Sequence, residues 1–144
     1  MERFALTLPI TRTPFQIALM RIALATALAP VIEFKNSMTY PEEGLGIAGI
    51  GGYVYRGERQ AQLNGSYLFG VWTQHHEKPD GAIFAASVAG EQEPWEYRKL
   101  HFRNRADGSL GHYLLSFGQD NSGALLVNDE HGPHGNTGKV YQIN

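Results

Sequence analysis

IGGYVYRGERQAQLNGSYLFGVW, Ile50 to Trp72, decides how the rest of the chain is read. Two glycines lead into alternating aromatic and aliphatic residues. A polar stretch ending in Asn64-Gly65 follows, and then a second aromatic run. Period-two alternation bounded by turn residues is the pattern of half-buried β-strands, here two neighbours. Two strands alone do not make a stable sheet, so their partners must lie elsewhere in the chain.

The same grammar repeats from Pro30 onward. Strands are expected at Val31–Phe34, Ile47–Arg56, Tyr67–Trp72, Ala82–Ser87, Tyr97–Phe102, Tyr113–Phe117, Ala124–Asn128 and Lys139–Ile143. The punctuation between them is Asn64-Gly65, Asp80-Gly81, Ala89-Gly90, Asp107-Gly108, Asn121-Ser122-Gly123 and Thr137-Gly138. No helix-period run intervenes. Consecutive strands joined by tight turns pair antiparallel as a meander. GGYVYR, SYLFGVW, GAIFAAS and YRKLHF make one four-stranded unit. YLLSFG, ALLVND and KVYQI begin a second that lacks its fourth strand. Four-stranded units in series are the sequence mark of a β-propeller. The expected fold class is therefore all-β, a partial propeller of about two antiparallel blades with the last incomplete.

Composition agrees with this and narrows function. Of 144 residues, 42% are hydrophobic and 18% charged, which is globular and fits one domain. The formal net charge of −2 leaves no basic excess to neutralise phosphates, so nucleic acid is not expected as a partner. The absence of cysteine removes disulfides, thiolate metal sites and cysteine nucleophiles.

Residues 1–29 stand apart: they hold no glycine and are rich in Ala, Leu and Ile. Phe15 to Ala29 is helical by propensity and ends at Pro30. Three readings stay open, namely a secretory signal with its apolar run shortened by Arg21, a short helix on the sheet, and a segment unrelated to the fold. No membrane span is expected, because a transmembrane helix needs about 20 apolar residues.

The motifs GIGGYVYRG, LNGSYLFGVW, DGAIFAAS, SFGQDNSGALLVND and GKVYQI resemble, in order and spacing, the C-terminal end of the glucose/sorbosone dehydrogenase family across residues 30–144. That family comprises soluble quinoprotein sugar dehydrogenases with a six-bladed propeller. The resemblance implies oxidation of an aldose or related sugar, pyrroloquinoline quinone (PQQ) as cofactor, calcium beside it, and a periplasmic or extracellular location. It also implies that residues 30–144 are only part of the enzyme, since no part of them matches the family's catalytic histidine. The calcium ligands likewise lie outside this segment. The remaining blades are expected on another chain, or the open sheet edges pair with a second copy. The chain is thus expected to be an inactive portion of an enzyme. The alternative is a non-catalytic propeller fragment that binds carbohydrate or a protein partner through one rim.

Strand parity selects that rim. Counting from Ile47, the loops Thr73–Gly81, Arg103–His112 and Asp129–Gly138 reach one end of the sheets. All six histidines (His75, His76, His101, His112, His131, His134) fall there with Lys78, Arg103, Arg105 and Asp107. The resemblance places the quinone on this rim, held by basic side chains that suit a planar polyanion. Lys78 lies within about one residue of a family lysine and is the candidate cofactor-binding residue. Gly111 and His112 stand where the family has arginines, and Arg103 and Arg105 lie too early to inherit that role. Asp129, Glu130, His131 and His134 combine metal-ligating types, but their spacing matches no metal motif and reads as a Gly/Pro-rich loop. No metal site is assigned. The aromatics read as core.

Overall fold

The computed structural model describes residues 30–90, 94–121, 123–129 and 137–143. The 1–29 segment, with its three readings, lies outside the described residues. Seven strands form two sheets: β1 Gly49–Val54, β2 Tyr67–Val71, β3 Ala82–Ala86, β4 Tyr97–Lys99, β5 Tyr113–Asp120, β6 Gly123–Asp129 and β7 Gly138–Gln142. The first sheet runs β1-β2-β3-β4 and the second β5-β6-β7, every pair antiparallel. The fold is all-β, a partial propeller-like pair of meanders whose second sheet has three strands among the described residues. One short 3₁₀ turn, Ala61–Leu63, lies between β1 and β2.

Alternation dictates what each face of the first sheet buries. Leu68, Ile83 and Ala85 point toward the second sheet, where they meet Leu110, Leu114 and Phe117, with Tyr55 and Leu63 closing the cluster. Phe69, Val71, Ala82, Phe84 and Ala86 point the other way. On that far face Ile32, Phe34, Leu45 and Trp95 pack over them, and Phe69 stacks on Phe84 with centroids 5.3 Å apart. The first sheet is therefore covered on both sides, which explains why all five residues of β3 are buried.

Val31–Phe34 does not form the expected strand. Its alternation is real, since Ile32 and Phe34 are turned to the sheet and Glu33 is exposed. The segment lies on the face of the sheet instead of along its edge, so it has no ladder to join. Of its backbone, the Val31 carbonyl accepts one bond, from Trp95 N–H at 2.7 Å. The chain then turns through Asn36–Gly46, where a single bridge joins the two ends. Elsewhere the strands differ from expectation at their ends. β4 is short: after Leu100 N–H bonds the Ile83 carbonyl at 2.8 Å, Phe102 N–H turns to the Gly108 carbonyl at 3.0 Å, whereas β5 runs on to Asp120 against β6.

The opening glycines mark an irregularity in β1, whose pairing with β2 shifts between Ile50 and Tyr53. A Cβ on Gly52 would sit 1.7 Å from the Leu68 carbonyl oxygen, so only glycine passes there. The three residues after it do not all pack as expected. Tyr55 is fully buried and Val54 half-buried, but Tyr53 is 41% exposed.

The Tyr55 hydroxyl is buried with no hydrogen-bond partner among the described residues. An orphaned buried hydroxyl keeps its desolvation cost without the compensating bond. Tyr55→Phe is therefore expected to leave stability unchanged or raise it by about 1 kcal/mol. Urea denaturation checks this, and a loss of more than about 1 kcal/mol would mean that the hydroxyl is satisfied.

Candidate functional site

The meander puts the β2–β3, β4–β5 and β6–β7 connections at one end of the two sheets, as parity requires. Two backbone bonds stitch the first two connections together: Gly81 N–H to the His112 carbonyl at 2.8 Å, and Leu114 N–H to the Trp72 carbonyl at 3.0 Å. Trp72 and Tyr113 stack across the seam, centroids 4.8 Å apart and 18° from parallel. His75, His76, His101 and His112 all belong to this end. Glu130, His131 and His134 lie outside the described residues, and of Asp129 only the backbone, the last residue of β6, is described.

The Thr73–Asp80 loop is built around a buried hydroxyl. Thr73 is fully buried. Its Oγ1 lies 2.9 Å from the His75 carbonyl and 2.7 Å from the Lys78 carbonyl, so it donates to the loop from inside. It also accepts Asp80 N–H at 3.3 Å. Asp80 in turn accepts from Gln74 Nε2 at 3.0 Å and lies 2.9 Å from His75 Nδ1. With its interior satisfied, the loop leaves His76, Glu77 and Lys78 exposed. They border a hollow of about 420 Å³ whose other wall is Ser37, Met38 and Ile47. Thr73→Val is expected to cost about 1 kcal/mol by removing the hydroxyl's bonds inside the loop, while the His75 and Lys78 carbonyls keep their bonds from Lys78 N–H and Asp80 N–H. Amide exchange should rise at Lys78 and Asp80 while β3 stays protected; unchanged protection would refute the role given to Thr73.

The second loop, Phe102–His112, closes through Arg105 N–H to the Phe102 carbonyl and Gly108 N–H to the Arg105 carbonyl. Gly108, at φ 65°, makes the turn in a conformation that other residues rarely adopt. Ser109 donates to Asp107 from its amide at 3.0 Å and its hydroxyl at 2.9 Å. These bonds hold the Asp107 carboxyl below the usual carboxylate range, with a smaller contribution from Arg105, whose Nε is 3.8 Å away. The loop also folds Arg105 back on itself. A Cβ on Gly111, where φ is 73°, would lie 2.4 Å from the Arg105 guanidinium carbon. The guanidinium thus occupies the space beside Gly111, six positions beyond Arg105 in sequence. Sequence spacing put Arg105 too early for that place; the turn at Asp107-Gly108 is the signal that shortens the distance.

The end of the sheets is divided. Lys78 borders the smaller hollow. Arg103, Arg105, Asp107, His101 and His112 border a separate, larger groove of about 1170 Å³ between the sheets. Sequence reasoning missed Arg98, which also lines this groove. Its signal was available, since Arg98 pairs with Ala85, whose side chain faces the second sheet. It missed Thr73 too, which nothing in a run of polar residues distinguishes.

Among the described residues Lys78 is the one Lys or Arg bordering its hollow, and Glu77 stands beside it. A planar polyanion such as PQQ needs more basic groups than this one hollow offers among the described residues, so no step through the quinone is derived from it. Among the described residues, no three His, Asp or Glu side chains gather to hold a metal ion, and no helix is long and apolar enough to cross a membrane. No protein-family model, curated protein or solved structure matches the chain.

Proposed function

We propose that the chain is the C-terminal portion of a quinoprotein sugar dehydrogenase that oxidises an aldose or related sugar, with the other blades supplied from beyond residues 30–144. The observation that carries this reading is the succession of two meanders whose histidine-bearing loops share one end. Lys78 is this chain's contribution to the quinone site, an exposed ammonium on a loop held from below by Thr73. The further cations and the calcium ligands come from the other blades, as does the sugar-oxidising histidine.

The test is dye-linked glucose oxidation by the purified chain with PQQ and calcium, alone and with a polypeptide carrying the remaining blades. No turnover alone and turnover on reconstitution are expected. Lys78→Met should then weaken PQQ at least about tenfold, as loss of a charge-assisted contact does. Turnover by the chain alone would overturn the need for other blades, and none after reconstitution would overturn the assignment.

A second reading, a non-catalytic fragment that binds carbohydrate or a protein partner through the same end, is favoured by Gly111 and His112 standing in place of the family's arginines. It expects ligand binding with no dye reduction under any of these conditions.

A further inference from the structure

We infer that the groove between the two sheets is a binding site for a uronate-bearing oligosaccharide, apart from any quinone chemistry. Its first wall is Arg98, His101 and the Phe102–Asp107 loop; its second is His112 and Tyr141. Leu63, Leu100, Leu110 and Ile143 form an apolar floor that continues the core between the sheets. At about 1170 Å³ it exceeds the roughly 300–1,000 Å³ of a pocket for one small molecule, so it has room for two or more sugar rings.

Its charge selects the ligand. The chain carries a net −2, yet three guanidinium groups (Arg98, Arg103 and Arg105) and one carboxylate border this groove. Lys99 is engaged by Gln74 Oε1 at 2.8 Å, and the Asp107 carboxylate is occupied by Ser109. Arg98 and Arg103 have no hydrogen bond or ion pair among the described residues, which leaves two guanidinium forks for a carboxylate. His112 and Tyr141 stack 22° from parallel with centroids 5.8 Å apart, and Tyr141 keeps 38% of its surface exposed. An aromatic face beside guanidinium forks over an apolar floor suits a sugar ring that carries a carboxylate. An acidic peptide would use the charges but leave the ring unused.

The experiment is calorimetric titration of the full chain with trigalacturonate, maltotriose, hexaglutamate and inorganic sulfate. Trigalacturonate should bind, more weakly as salt rises, and the other three should bind at least about tenfold more weakly or not at all. Arg98→Gln with Arg103→Gln should lower trigalacturonate affinity at least about tenfold. Both arginines are exposed, so the fold should be unaffected and circular dichroism will verify it. Tyr141→Ala should weaken the saccharide and leave the residual sulfate affinity unchanged. Equal binding of hexaglutamate or maltotriose, no binding of trigalacturonate, or affinity indifferent to the arginines would overturn the proposal. None of these outcomes depends on dye reduction, so this proposal and the dehydrogenase reading fail separately.

Discussion

Gly70→Ala is expected to destabilise the chain by about 3 kcal/mol or more, the upper end for overpacking. Gly70 lies in the middle of β2 on the face turned to the second sheet. A Cβ there would stand 2.2 Å from Leu114 Cδ2 and 2.5 Å from the Ala82 carbonyl oxygen. Leu114 is itself fully buried and cannot swing into solvent. The Ala82 oxygen is main chain in the adjacent strand and yields only if the ladder moves. Against a total stability of roughly 5–15 kcal/mol for a domain, this is a large share. The contact makes a sharper test than the single variant. Leu114→Ala alone should cost about 2–5 kcal/mol by opening a cavity. The double variant should be more stable than the sum of the two losses implies by about 1 kcal/mol, because the new methyl enters the space left by leucine. Rescue stays incomplete because the Ala82 oxygen is still in the way. Strict additivity in urea titrations would show that β2 and β5 do not meet as described.

Gly81→Ala is expected to cost about 3 kcal/mol for a different reason. Its Cβ would lie 2.7 Å from the His112 oxygen, 2.9 Å from the Leu114 nitrogen and 3.0 Å from the Trp72 oxygen. All three are backbone atoms of the two bonds that stitch the sheets together. No rotamer relieves the clash, so the seam itself must open. The Trp72–Tyr113 stack and the relation between the Thr73–Asp80 and Phe102–His112 loops depend on that seam. Amide exchange at Gly81 and Leu114 should accelerate more than at Leu68 or Phe84 inside the first sheet. Uniform acceleration everywhere, or a loss under about 0.5 kcal/mol, would show that the seam does not hold the sheets.

The strands were legible because each carries its own signal. SYLFGVW and GAIFAAS are apolar runs of strand length bounded by glycine turns, and both form where the pattern places them. Val31–Phe34 turns Ile32 and Phe34 inward and Glu33 outward yet forms no strand, because such a pattern reports one buried side and says nothing of a hydrogen-bonded neighbour. The common end of the histidine loops was legible too, since parity in a meander follows from counting strands. Its division into two concavities was not, because that depends on how the two sheets sit against each other.

Local chemistry in the sequence thus determined that the chain is all-β, that its strands run as consecutive antiparallel meanders, and that His75, His76, His101 and His112 gather at one end. Alternation and turn residues act over a few positions, and they suffice for these statements. Only the tertiary structure decided that Thr73 holds the Lys78 loop from inside, that Arg105 folds back beside Gly111, and that Arg98 faces a groove between the sheets. Each joins groups whose meeting is set by chain closure and sheet packing, and neither residue type nor spacing records the direction in which a loop folds back.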